Sequence, residues 1–109
     1  MKPVVVHPQA RADLRAEVRY YRKNAGAATA ERLANAVDEA LRLLQQQPGI
    51  GSPRIGGTLG IHGLRAWRVS GFPLIWFYFE HADRLAVVRL LGERQDILAI
   101  LGTDPKDVS

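Results

Sequence analysis

Cysteine is absent from this chain of 109 residues. That excludes a disulfide scaffold, a thiolate zinc site and a thiol nucleophile, and it fits a reducing compartment. No apolar run approaches the roughly 20 residues that a membrane-spanning helix needs. The opening Met1-Lys2-Pro3-Val4-Val5-Val6-His7-Pro8 is too short in apolar residues for a secretory signal, so the expected location is the cytoplasm. The segment from Gly51 to Gly60 lacks the Gly-Lys-Ser/Thr ending of a phosphate loop. His7, His62 and His81 lie in three different connections, without the spacing of a metal site. Ser52, Ser70 and Ser109 have no adjacent base, and Glu80 and Asp83 read as residues of one turn rather than a catalytic pair. No metal and no cofactor is implied.

What remains is an ordinary globular composition, 47% hydrophobic and 24% charged, in a length that suits one domain. Residues 1–102 are expected to form it, with 103–109 as a polar C-terminal tail. The net charge is +4, and twelve of the fifteen basic residues are arginine. Arginine presents a rigid fork for carboxylates and phosphates, which points toward an acidic partner or nucleic acid. Arginine use in a G+C-rich genome produces the same composition.

The β-branched run Pro3 to His7 predicts a first strand. Pro8 then opens a helix at the position where a missing N–H costs nothing, although His7 is a poor cap. Ala10, Leu14, Val18, Tyr21 and Ala25 fall on one face of that helix, and Asn24-Ala25-Gly26 stops it. A second helix is predicted from Ala28 to Gln46, with Ala30, Leu33, Ala34, Val37, Ala40, Leu41 and Leu44 as its apolar stripe. Two such helices joined at Gly26 should form an antiparallel hairpin. Gly49 to Gly63, with six glycines, reads as a loop.

From Leu64 the period becomes that of strands: Leu64–Val69, Pro73–Glu80 and Arg84–Leu91, joined by tight turns, then a short helix over Arg94–Leu101. The expected fold class is α+β: an N-terminal strand, and a helical hairpin packed on a mostly antiparallel sheet whose other face stays partly open.

The arginines are placed unevenly. Arg11, Arg15, Arg19 and Arg22 make one stripe on the first helix, read either as a solvated face or as a docking surface for an acidic segment. Strand alternation puts Arg65 on the face of Trp67 and Val69, with Arg68 opposite. It puts Arg89 with Leu85, Val87 and Leu91, either in an internal ion pair or along a groove. Arg94 stands where the last strand hands over to the last helix. Tyr20, Trp67, Trp76 and Tyr78 have faces that stack on bases, but strand spacing suits the core equally.

Taken together, several segments resemble the RelE/ParE superfamily of toxins from bacterial type II toxin–antitoxin pairs. They are Val6-His7-Pro8-Gln9-Ala10-Arg11-Ala12-Asp13-Leu14, Tyr20-Tyr21, Leu44–Gly51, Gly63-Leu64-Arg65, the strand Phe72 to Tyr78, and Val88 to Asp96. The resemblance spans nearly the whole chain and implies the same helical hairpin on a sheet. It also implies two alternatives. RelE-like members cleave mRNA in the ribosome with basic side chains and a C-terminal tyrosine or histidine–tyrosine pair, a chemistry that needs a base, a cation and an acid. Arg65 and Arg94 fall at two cation positions, but Ile100 occupies the tyrosine position and neither tyrosine nor histidine follows His81.

ParE-like members bind DNA gyrase without chemistry of their own, and the Phe72-Pro73 strand and Arg94-Gln95-Asp96 resemble that branch. The expectation is therefore a ParE-like gyrase inhibitor with no catalytic residues. Arg65, Arg89 and Arg94 are expected toward the target. Arg15, Arg19, Arg22, Arg68 and Trp67 are expected toward a cognate antitoxin, whose carboxylates would meet the helical stripe or the Arg65/Arg68 strand. Promoter DNA would be touched only through the antitoxin. The alternatives are a ribosome-dependent ribonuclease using Arg65 and Arg94, or an inactive relative that only binds its antitoxin.

Overall fold

The computed structural model describes residues 2–102, so the tail expected at 103–109 lies outside the described residues. The chain begins with strand β1 (Val4–Val6), followed by helices α1 (Pro8–Ala25) and α2 (Ala27–Gln46). Pro8 does open α1, over an extended His7 that supplies no side-chain cap. Gly26 alone joins the two helices. Its φ of 94° lies where a side chain would be strained, so glycine is what permits a one-residue joint. Ala10, Leu33, Val37, Ala40 and Leu44 are buried, whereas Ala25 and Ala34, expected on the apolar faces, are exposed.

Three strands follow: β2 (Leu64–Arg68), β3 (Leu74–Glu80) and β4 (Leu85–Gly92). The sheet order is β1-β4-β3-β2. β1 runs parallel to β4, and the other pairings are antiparallel. The helical hairpin packs on one face, where Leu33, Val37 and Leu44 meet Trp76, Tyr78, Leu85 and Val87. Trp76 is completely buried, and its indole N–H donates to the Val37 carbonyl at 3.2 Å.

Two expectations about the sheet are corrected. Gly49 to Gly63 is not a featureless loop: it holds a 3-10 turn (Pro48–Ile50) and helix α3 (Arg54–Leu59). The second face of the sheet is not left open either. There Leu64, Phe77, Phe79, Ala86, Val88 and Leu91 pack with Ile55, Leu59 and Ile61 of the α3 region and with Leu101 of helix α4 (Ile97–Gly102). Both faces of β3 are therefore covered, which is why Leu-Ile-Trp-Phe-Tyr-Phe is apolar without alternation. Helix α4 starts three residues later than the expected Arg94. Asp96 caps it, accepting a hydrogen bond from the Ala99 N–H at 3.2 Å, and Arg94 is left in the preceding turn.

Strand alternation also fails once. Phe77 pairs with Arg89 but Tyr78 pairs with Val87, so Val88 is an extra residue, a β-bulge. Leu85, Val87 and Leu90 consequently face the hairpin while Ala86, Val88 and Leu91 face the other side. Leu91 does not share a face with Leu85 and Val87.

Candidate functional site

The bulge in β4 fixes the fate of Arg89. Its guanidinium forms a forked pair with Asp13 of α1, Nε to Oδ2 at 2.8 Å and Nη2 to Oδ1 at 3.2 Å. The Asp13 Oδ2 atom also accepts the Leu90 N–H at 3.0 Å. Both side chains are only 12–13% exposed. Of the two readings open in the sequence, the internal ion pair is the one observed. Arg89 is turned to Asp13 of α1 and is 13% exposed, beside the bulge that breaks the strand's alternation.

Arg65 does share the hairpin side with Trp67 and Val69. Its Nη1 donates to the carbonyls of Gly49 and Gly51, at 3.2 and 2.7 Å, fastening the 3-10 turn to β2. The Tyr78 hydroxyl grips the same turn, donating to Pro48 O at 2.6 Å and accepting from the Gly51 N–H at 3.0 Å. Burial pushes that phenol above its ordinary pKa, against the opposing pull of the Gly51 N–H and Arg65. Arg65 and Tyr78 together are a clamp on Pro48–Gly51.

The remaining arginines face outward. Arg68 lies on the opposite face of β2, paired with Glu93, and its donors hold the Glu93 carboxyl below the usual carboxylate range. Arg11 donates from Nε to Val6 O at 3.3 Å. Arg15, Arg19, Arg22 and Arg94 are exposed and form no ion pair among the described residues. Trp67 is half-buried at the floor of a groove of about 580 Å³ between α2 and β2, with Ala36, Leu43, Arg42 and Arg68 around it.

Trp76 and Tyr78 are core residues, whereas Tyr20 is 60% exposed. Ile100 is half-buried among the apolar residues beneath the sheet. His81 stacks on Phe79, and no group of three or more histidine, aspartate or glutamate side chains could hold a metal among the described residues. No described helix is long and apolar enough to cross a membrane.

One residue overlooked in the sequence is Glu17. It lines a second groove with Tyr20, Tyr21 and Arg94. Its spacing of three and four residues before Tyr20 and Tyr21 is a signal for a shared face, but only the fold brings Arg94 to it. Burial and the neighbouring Asp13 raise its carboxyl pKa above the ordinary value. A carboxyl that holds its proton more tightly when folded makes stability fall as pH rises from the unfolded pKa through the raised one. Glu17→Gln removes this loss. Its advantage over the parent in urea unfolding should be absent below about pH 4 and grow toward neutrality; an advantage constant with pH would refute it.

The comparisons with known proteins agree with this architecture. The family model for the ParE toxin of the type II toxin–antitoxin system parDE matches residues 4–97. No curated protein matches the chain. Among solved structures, one chain of a chromosomal ParDE toxin–antitoxin system from P. aeruginosa superposes with a TM-score of 0.72. The two are 21% identical, and the match covers 84% of this chain and 96% of that one. At that identity the likeness speaks for the fold, and the family model speaks for descent. With strand, helical hairpin and sheet in the expected order, this chain belongs to the ParE toxin family of type II toxin–antitoxin systems.

Proposed function

We propose that this toxin inhibits DNA gyrase by binding it directly, without bond-making chemistry of its own, and that a cognate antitoxin neutralises it. The observation that carries the reading is how the two arginines expected to serve a ribonuclease are placed. Arg65 is engaged by the carbonyls of Gly49 and Gly51. Arg65 pairs with Tyr78 on β3, while Gly92, two residues before Arg94, pairs with Leu74. Those two partners on β3, Tyr78 and Leu74, lie four residues apart, about 13 Å along the strand. Cleavage of RNA needs a cation, a base and an acid around one phosphate. Ile100, in the position where the ribonuclease relatives carry a tyrosine, can supply neither proton step. Protein binding asks for less: an exposed cation such as Arg94 beside an exposed aromatic such as Tyr20.

A titration of the purified, partner-free chain into a gyrase supercoiling assay tests the reading. Inhibition with trapped cleaved DNA is expected. A folded chain without effect on gyrase overturns it, and cleavage of ribosome-bound mRNA becomes the activity to assay.

The similar solved chain belongs to a ParDE system, which supports an antitoxin partner here as well. Its toxin-binding segment would be disordered alone and would fold on this surface. The row Arg15, Arg19, Arg22 and the groove at Trp67 and Arg68 offer it cations and apolar area. Promoter DNA would be contacted by the antitoxin. Replacing Arg15, Arg19 and Arg22 together by glutamate should weaken the complex by more than about tenfold, since each like-charge contact is repulsive. An unchanged Kd in a calorimetric titration would remove the stripe from the interface.

A further inference from the structure

An open groove of about 450 Å³ lies between the C-terminal half of α1 and the turn that leaves β4. Glu17, Tyr20 and Tyr21 line it from the helix, and Arg94 and Gln95 from the turn. The two tyrosine rings stand at 84° to each other with centroids 5.5 Å apart. Tyr21 is fixed from behind by Phe72, again nearly perpendicular at 87° and 5.4 Å. One wall of the groove is thus a rigid aromatic corner, and Tyr20 leaves 60% of its surface to water. Gln95 is equally constrained, because its Oε1 accepts the Gly92 N–H at 2.6 Å.

Glu17 is the unusual member. It is half-buried, yet it accepts no hydrogen bond and pairs with no cation among the described residues. Its neighbour Asp13, one turn earlier, is fully engaged by Arg89 and the Leu90 N–H. A partly desolvated carboxylate without a donor is costly for the free protein and is relieved when a donor arrives. A carboxylate beside a corner of aromatic rings matches one chemistry closely: a cation, held by charge on one side and by the ring quadrupoles on the other.

We propose that this groove receives a cationic side chain, arginine or lysine, presented by a protein partner. Glu17 is the acceptor, and Tyr20 and Tyr21 are the walls. Arg94 selects the context of that side chain. Its positive charge at the rim disfavours a bare cation and favours one carried on a peptide, with a backbone carbonyl or a carboxylate nearby to meet the guanidinium. A nucleotide would satisfy Arg94 with its phosphate but would bring more negative charge to Glu17. The proposal concerns the chemistry of the groove and does not rest on the identity of the target.

The test is an NMR titration of the isotope-labelled chain with N-acetyl-arginine amide and, separately, with its neutral isostere N-acetyl-citrulline amide. Saturable shifts are expected at the Glu17 carboxyl and the Tyr20 and Tyr21 rings with the arginine probe, and about tenfold weaker binding with citrulline. Glu17→Gln should weaken the arginine probe by about tenfold, and Tyr20→Ala, an exposed position that leaves the core intact, by about fivefold. Equal binding of the two probes, no localised shift with either, or shifts produced by guanosine monophosphate while arginine is silent would each overturn the proposal.

Discussion

Asp13→Ala is expected to lower the free energy of unfolding by about 4 kcal/mol, the range for removing one partner of a buried ion pair. In a domain of this size that is a fall in Tm of roughly 15 °C or more. Two groups lose the Asp13 carboxylate at once. The Arg89 guanidinium, 13% exposed, stays charged, as arginine does in proteins, and no longer faces a carboxylate of α1. The Leu90 N–H, opened by the bulge, loses its acceptor.

The double variant Asp13→Leu/Arg89→Met separates these costs. It replaces the charges by apolar groups of similar length, which is often neutral, but leaves the Leu90 N–H bare. Recovery should therefore be partial, with a residual deficit of about 1–3 kcal/mol. Urea unfolding of the three proteins measures both numbers. A single variant within about 1 kcal/mol of the parent would mean that the pair contributes no more than a surface one.

Gly56→Val should cost about 3 kcal/mol, at the upper end of overpacking penalties. Gly56 is buried where α3 lies against the start of β2. A Cβ there would come within 2.6 Å of the Leu64 carbonyl oxygen and 2.9 Å of the Ile61 oxygen. Those atoms belong to the backbone and cannot rotate aside, so α3 must lift from the sheet. The lifted helix uncovers the apolar face of Leu64 and Phe79, and hydrogen exchange in α3 should speed up more than in α1 or α2.

Gly57 is the control. Nothing lies within 4 Å of a Cβ at that position, so Gly57→Ala should be neutral or stabilising by up to about 1 kcal/mol through helix propensity. Equal effects at the two glycines would show that close approach is not what α3 requires.

These two sites also mark where reading the sequence succeeds and where it stops. The helical hairpin was legible because Leu33, Val37, Ala40 and Leu44 repeat at helical spacing and Pro8 and Gly26 punctuate the ends. The strand hairpin of β2 and β3 was legible from composition and its short turn. Helix α3 was not, since Arg-Ile-Gly-Gly-Thr-Leu has two poor helix formers in six residues. It forms because Ile55 and Leu59 find the uncovered face of the sheet.

Of the arginines, alternation puts Arg65 on the face it occupies, but its bonds to the Gly49 and Gly51 carbonyls depend on a 3-10 turn with no strong local signal. The face of Arg89 follows from an alternation that the bulge at Val88 breaks. The Glu17 groove was half legible, as one helix face, and lacked its opposite side.

The sequence by itself determined the elements with a period of their own, the absence of cysteine chemistry, and the family, whose pattern is spread along residues 4–97. The tertiary structure alone decided which charges are spent and which remain. Asp13 and Arg89 are 76 residues apart in the chain and 2.8 Å apart in the fold, and no local pattern encodes that meeting. Periodicity records which face of an element is apolar, whereas the partner of a charge is set by how the faces dock. Docking of the faces is what brings Arg65 to the Gly49 and Gly51 carbonyls and Arg89 to Asp13, while Arg94 stays exposed and Glu17 half-buried.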